Sequence, residues 1–219
     1  STANGDASYI VEKIQFSDGS IWSITADGLV PYPYLNPTGG NDVLIGSSGA
    51  DVISGLAGDD VLNGLAGNDR LIGGTGNDVL NGAGGDDSYY FNLGDGVDTI
   101  NDIYAANDRN EIRFGAGITS DSLSLGLDGS SLVIRVGDGG DAIYVSNIDT
   151  TNIYANGRLP IVRLYFSHGS YTSLTQLISQ KGFDTFGTEG SDSLGGALFV
   201  HDRIYGLGGN AILDPSFGV

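Results

Sequence analysis

Among its 219 residues the chain has no cysteine, no methionine, one tryptophan, two histidines and only nine lysines and arginines together. Without cysteine there is neither a disulfide framework nor a thiolate metal site. No stretch approaches the ~18 consecutive apolar residues of a membrane helix, and no signal peptide opens the chain, so this segment is expected not to insert into a bilayer. The missing methionine, absent even from position 1, reads as a piece of a longer chain or a processed product. The scarcity of basic residues matters most. Against nine of them stand 27 acids, for a net charge of −18. Such a surface repels nucleic acid and anionic membranes, which excludes both as partners, and it attracts cations.

Glycine is abundant instead, at 37 residues, and it is periodic rather than scattered. From 37 to 90 one nine-residue phrase is written six times: PTGGNDVLI, GSSGADVIS, GLAGDDVLN, GLAGNDRLI, GGTGNDVLN, GAGGDDSYY. The sixth place is always Asp: Asp42, Asp51, Asp60, Asp69, Asp78 and Asp87. Two places earlier stands Gly40, Gly49, Gly58, Gly67, Gly76 or Gly85, and two places later Leu44, Ile53, Leu62, Leu71, Leu80 or Tyr89. A short fixed period of this kind marks a solenoid.

The phrase has a mechanical reading. Three residues centred on the bulky one suit a short strand with its middle side chain pointing inward, and the six before it turn on glycines that tolerate positive φ. Two phrases then make one coil of a flattened right-handed spiral with two parallel sheets. Leu44, Leu62 and Leu80 stack in one sheet; Ile53, Leu71 and Tyr89 stack in the other. Asp42, Asp60 and Asp78 collect on one turn edge, and Asp51, Asp69 and Asp87 on the opposite one. From 37 to 102 there are eleven Asp, no Glu and only Arg70 in opposition. Carboxylates stacked ~4.8 Å apart repel unless a cation lies between them. Oxygen ligands without His or Cys suit a hard cation, and flexible spacing favours Ca²⁺ over Mg²⁺. The same-edge pairs 42/60, 60/78, 51/69 and 69/87 make four ion positions. A fifth is expected where Asp78 or Asp87 meets Asp95, Asp98 and Asp102.

The rest of the chain is also β-rich. An Asp18-Gly19 turn joins two strand-like runs into a hairpin near 10–24, and residues 31–37 read as an extended connector. Residues 91–102 leave the nine-residue period and are expected to cap the solenoid. From 111 to 147, alternating runs separated by Gly- and Asp-rich turns suggest an antiparallel meander. Residues 161–180 begin as a strand and end in a short helix, with Ser173 as N-cap and an apolar stripe of Leu174, Leu177 and Ile178. Sliding the chain by 150 places lays Ile14 on Leu164, Phe16 on Phe166 and Gly40 on Gly190, and one more residue of shift lays Asp51 on Asp202. The chain is thus a window onto a tandem array. Its expected divisions are 1–36, the end of a preceding module with a linker; 37–102, the β-roll with its cap; 103–186, an antiparallel β domain; and 187–219, the start of a second array. The overall class is all-β.

Residues 37–90 closely resemble the haemolysin-type (RTX) array of Gly-Gly-x-Gly-x-Asp nonapeptides, and residues 111–180 with the hairpin at 10–24 resemble the domain found between such arrays. The resemblance implies that Ca²⁺ is held by the Asp carboxylates and by backbone carbonyls of the glycine turns, at the six Asp and six Gly positions named above. It extends to Asp192 and Asp202 in the second array, where Ala211 and Pro215 depart from the pattern. It also implies a segment of a large secreted or surface bacterial protein that leaves the cell unfolded by a type I route and folds on external Ca²⁺, beside neighbouring modules of the same chain. A second reading makes the array a glycan-binding adhesin, with Trp22, Tyr144, Tyr154, Tyr165 and Tyr171 as sugar-stacking faces, against the plainer view that these rings pack the domain. No enzyme is expected: His168 falls in the turn that the shift lays on Asp18, and His201 in a degenerate repeat. Self-processing at Asp214-Pro215 is a weaker third reading.

Overall fold

The computed structural model describes strands at 13–15, 21–25 and 28–31, the stretches 37–103, 108–148 and 159–186, and strands at 193–195, 203–205 and 212–214. Two units separate at the boundary between Ser1–Asn36 and Pro37–Val219. In the first, β1 (Lys13–Gln15), β2 (Ile21–Thr25) and β3 (Gly28–Pro31) form an antiparallel sheet in that order, with Ile14 paired to Trp22 and Trp22 to Pro31. The third strand overlaps the start of the stretch read as a connector. It lies at the sheet edge, where the N–H that proline lacks is not required.

In the second unit the chain alternates between two sheets. β4 (Val43–Ile45), β6 (Val61–Asn63), β8 (Val79–Asn81) and β10 (Val97–Ile100) lie parallel in one. β5 (Val52–Ala57), β7 (Arg70–Thr75), β9 (Ser88–Phe91) and β11 (Asn110–Phe114) lie parallel in the other. Strand registry places Leu44, Leu62, Leu80 and Ile100 in one inward row and Ile53, Leu71, Tyr89 and Ile112 in the facing row, and every one of them is buried. The core of the solenoid is the seam between these rows. Flanking residues of each triplet point outward, as the two-residue period of a strand requires.

The winding continues beyond the nonapeptides. Residues 91–102 do not cap the solenoid but supply β10, with Ile100 in the leucine row. Nor is 103–186 wholly antiparallel, because β11 runs parallel to β9, and β15 (Ile161–Tyr165) runs parallel to β11. The alternation of Ile112 and Phe114 specifies a half-buried strand without specifying the direction of its neighbour; the coil already wound sets that direction. The meander itself is present. β12 (Leu123–Asp128), β13 (Ser131–Val136) and β14 (Asp141–Val145) pair antiparallel, and β14 joins the first sheet by running parallel to β10. β16 (Tyr171–Ser173) closes the second sheet antiparallel to β15.

Helix α1 (Leu174–Lys181) follows, its first turn capped by Ser173, whose hydroxyl accepts from the Gln176 N–H at 3.0 Å. Its buried residues are Leu174, Leu177 and Ile178. Among the described residues no helix is long and apolar enough to cross a membrane. At the C-terminal end β17 (Asp184–Phe186) pairs parallel with β19 (Arg203–Tyr205), and β18 (Ser193–Gly195) with β20 (Ile212–Asp214). The pairs Asp184–Arg203 and Ser193–Ile212 define a coil one residue longer than the 18-residue coil set by Leu44–Leu62.

The inward row is expected to carry the stability of the solenoid. Leu62→Ala should lower the unfolding free energy of the Ca²⁺-loaded chain by ~2–5 kcal/mol, through lost transfer energy and the cavity left behind. Val52→Ala, at a position 65% exposed, should stay within about 0.5 kcal/mol. Equal effects in urea titrations at fixed Ca²⁺ would contradict this placement of the core.

Candidate metal centre

Each turn of the solenoid is tied to the next through its aspartates. The Asp42 N–H donates to Asp60 Oδ1 at 2.7 Å, the Asp60 N–H to Asp78 Oδ1 at 2.8 Å, and the Asp78 N–H to Asp98 Oδ1 at 3.1 Å. On the opposite edge Asp51 donates to Asp69 at 2.8 Å, Asp69 to Asp87 at 2.8 Å, and Asp87 to the side-chain oxygen of Asn110 at 2.8 Å. These bonds occupy one oxygen of each carboxylate. The second oxygens of Asp60, Asp69, Asp78, Asp87 and Asp98 are buried and have no hydrogen-bond partner. A buried carboxylate oxygen without a partner is costly, and five in two rows on one protein call for a common ligand.

The glycine that opens each repeat after the first makes the space for these oxygens. A side chain at Gly55 would overlap Asp60 Oδ2 and approach the Gly73 carbonyl oxygen to 2.6 Å; one at Gly64 would overlap Asp69 Oδ2 and approach the Gly82 carbonyl to 3.1 Å. A carboxylate oxygen of one repeat and a carbonyl oxygen of the next coil therefore converge where a Cβ would otherwise stand. The fourth-place glycines have a different duty. Gly58 and Gly67 adopt φ of +108° and +121°, and each rests against the backbone of the glycine one coil earlier, Gly40 and Gly49. Among the described residues no three His, Cys, Asp or Glu side chains cluster as a metal site by themselves. A cation here must take most of its oxygens from the backbone, which suits Ca²⁺ and its six to eight oxygen ligands.

Burial without neutralisation raises the carboxyl pKa values. Desolvation is the leading cause throughout, with neighbouring carboxylates adding to it: Asp78 rises to about 6, Asp87 to about 7 and Asp98 to about 8. Asp60 and Asp69 are also raised, again first by burial. At the first coil the situation differs. Asp42 Oδ2 accepts from the Thr38 N–H at 2.6 Å and Thr38 Oγ1 at 3.0 Å, and Asp51 Oδ2 accepts from the Ser47 N–H and Oγ at the same two distances. Hydroxyl residues in the second place of the first two repeats close the rows at that end, where later repeats have Leu56, Leu65, Gly74 and Ala83.

The three acids assigned to the cap separate. Asp98 extends one row. Asp95 is turned to its own loop, accepting from the Asn92 N–H at 2.7 Å and Nδ2 at 3.1 Å. Asp102 accepts from Tyr89 Oη at 2.6 Å and Asn110 Nδ2 at 2.6 Å, so it buttresses the end of the other row. Asp192, Asp202, Tyr154 and His201 lie outside the described residues, as does Pro215. His168 Nε2 is 2.6 Å from Ser170 Oγ, and the ring stacks on Phe166. A second ladder escaped the sequence reading. The Asn41 side-chain oxygen accepts from the Asp59 N–H, Asp59 from Asn77, and Asn77 from Val97; on the other edge Asn68 accepts from Asp86 and Asp86 from Arg109. The fifth place of each repeat carries it, and Ala50 is its one interruption within the array. Asn110 was also missed, because it follows Asp87 by 23 residues rather than 18.

Buried carboxylate rows on the turns of a parallel β-solenoid define a metal-binding repeat protein. Residues 37–71 and 64–100 match the RTX calcium-binding nonapeptide repeat (4 copies). Residues 2–26 match the haemolysin-type calcium binding protein related domain. No curated protein matches the chain. Among solved structures it is similar to the AlgE6R3 subunit of the mannuronan C5-epimerase of Azotobacter vinelandii, at 26% identity over 59% of this chain and 91% of that one, with a TM-score of 0.39. It is similar also to the extracellular lipase LipA of Serratia marcescens, at 20% identity over 68% of this chain and 26% of that one, with a TM-score of 0.41.

The raised carboxyl values set a pH dependence for the metal-free chain. The folded state holds protons that the unfolded state has released between about pH 4 and 8, so the stability these groups contribute is full below the unfolded value of 3.8 and is lost as pH rises toward 8. In chelator, circular dichroism should therefore show more β structure at pH 5 than at pH 8. Apparent Ca²⁺ affinity should move the opposite way, weakening on acidification as protons compete. A chelated spectrum independent of pH would refute the assignment.

Proposed function

We propose that the chain is a calcium-driven folding module of a larger secreted or surface bacterial protein, exported unfolded by a type I route and ordered by external Ca²⁺. The observation that carries the reading is the set of five buried carboxylate oxygens without partners. Metal-free, these oxygens oppose folding. With an ion between neighbours they hold adjacent coils together, so the binding energy of the ions becomes folding energy. The assigned ligands are the carboxylates of Asp42, Asp60, Asp78 and Asp98 on one edge and Asp51, Asp69 and Asp87 on the other, with carbonyls of the glycine turns. The number of unpartnered oxygens supports five ions. Extracellular sites of this kind bind at ~10⁻⁴–10⁻³ M, which separates a low-calcium cytosol from the outside.

The module has a structural role in this reading, and its neighbours are modules of the same repeating chain. Support for tandem neighbours comes from the strand pairs that begin a further parallel array at Asp184–Phe186.

The whole chain in EDTA should lose most of its β signal in circular dichroism and regain it in millimolar Ca²⁺ but not in equal Mg²⁺. Native mass spectrometry should count five ions, and Asp78→Asn, which weakens the two positions on either side of it, should raise the Ca²⁺ midpoint ~tenfold or more, about 1.4 kcal/mol. A spectrum unchanged by EDTA would end this reading.

A further inference from the structure

The outward face of the second sheet carries a feature that Ca²⁺ binding does not use. Strand registry aligns Ile72, Tyr90, Arg113, Tyr165 and Tyr171 across five strands, and beside them Arg70, Ser88, Glu111, Arg163 and Ser173. The inward partners Leu71, Tyr89, Ile112 and Leu164 are buried, so both outward rows stand on the far side of the sheet from the core. The Arg70 guanidinium lies 5.0 Å from the centre of the Tyr90 ring, that of Arg113 lies 4.7 Å from Tyr165, and Tyr165 and Tyr171 are 5.3 Å apart. One acid opposes these arginines in the same rows: Glu111 Oε1 accepts from Arg113 Nε at 2.6 Å and from Ser88 Oγ at 3.0 Å. It also pairs with Arg113 Nη2 at 2.5 Å, which leaves the Nη1 side of that guanidinium for a ligand. In these two rows of described residues, three of the nine basic residues of a −18 chain thus stand with a single carboxylate.

Next along the strands the side chains become small. Asn92, Gly115 and Ser167 leave a shelf of about 390 Å³ walled by Tyr90, Arg113 and Tyr165. A side chain at Gly115 would run into Asn92 Oδ1, so the floor there stays bare backbone. Cross-strand stacking alone accounts for the Arg–Tyr pairs as sheet stabilisers. It does not account for the concentration of positive charge on this face of an acidic chain, or for an open shelf beside it that falls in the size range of small-molecule sites. The chemistry is specific. A guanidinium fork matches a carboxylate, tyrosine rings and hydroxyls suit a polyhydroxylated ring, and an amide, a hydroxyl and bare backbone supply further polar contacts.

We propose that this shelf binds a carboxylate-bearing oligosaccharide, with Arg113 facing the carboxylate, Arg70 adding long-range attraction, and Tyr90 and Tyr165 flanking the sugar. The site is remote from the carboxylate rows in function and requires only that the module be folded.

The test is calorimetric titration of the whole chain in saturating Ca²⁺ with a tetrasaccharide of alternating glucuronate and N-acetylglucosamine, against chitotetraose as the neutral counterpart. The acidic sugar should bind saturably, more weakly as NaCl rises, and the neutral one ~tenfold or more less tightly. Arg113→Gln should cost ~tenfold in affinity, and Arg70→Gln, at an exposed position, a smaller but measurable factor, while the Ca²⁺-dependent dichroism of both matches the parent. No binding by the parent chain, equal binding of the two sugars, or full affinity in a folded Arg113→Gln chain would overturn the proposal. Should Arg113→Gln not fold, undiminished affinity in Arg70→Gln would overturn it in its place. Dichroism recorded alongside separates loss of the shelf from failure of Ca²⁺-driven folding.

Discussion

Carboxylates stacked at strand spacing inside a protein repel one another and also lose their water, and the solenoid of this chain is built around that conflict. Asp60, Asp78 and Asp98 on one edge, and Asp69 and Asp87 on the other, each give one oxygen to the backbone of the preceding coil and keep one oxygen buried without a partner. The first oxygen sets the register of the coils. The second is buried without a partner, which is costly unless a cation or a proton neutralises it. The same side chain thus supplies the joint between turns and, in the folding module proposed above, the dependence of that joint on the ion.

The glycines follow from this conflict. An opening glycine leaves room for the buried oxygen and brings the next coil's carbonyl to the same place; a fourth-place glycine lets successive turns approach backbone to backbone. The rows end for physical reasons as well. Thr38 and Ser47 satisfy the first carboxylates locally, and Asn110 takes the place of an aspartate at the other end, beside Asp102 and Tyr89. Beyond that, Ile143 pairs with Asp98 and Ile161 with Asn110, and both are buried. The winding continues there on apolar contacts after the carboxylate rows stop.

That transition shows why a boundary at 102 describes the repeats better than it describes the packing. β10 and β11 have lost the nine-residue spacing yet occupy the next coil, and β14 and β15 the one after. The meander is attached to the solenoid through continuous hydrogen bonding. On the outer face of the second sheet this continuity has a further effect, since Arg70 and Tyr90 of the repeats come to share one surface with Arg113, Tyr165 and Tyr171 from beyond them.

By itself the sequence determined the parallel coil, the two inward rows and the sorting of aspartates onto two edges, because a fixed period repeats the same local physics and leaves one register available. It also determined the cap of α1, where Ser173 and Gln176 are near neighbours. Only the tertiary structure decided which oxygens lack partners, that Asp98 extends a row while Asp95 and Asp102 turn elsewhere, and that Asn110 closes the second row. It alone exposed the fifth-place ladder of Asn41, Asp59 and Asn77, since a polar residue beside an aspartate reads as composition until its partner one coil away is known. Where the period lapses, spacing no longer encodes which residues are stacked. Strand direction then depends on the surface already formed, and that surface exists only in the folded chain.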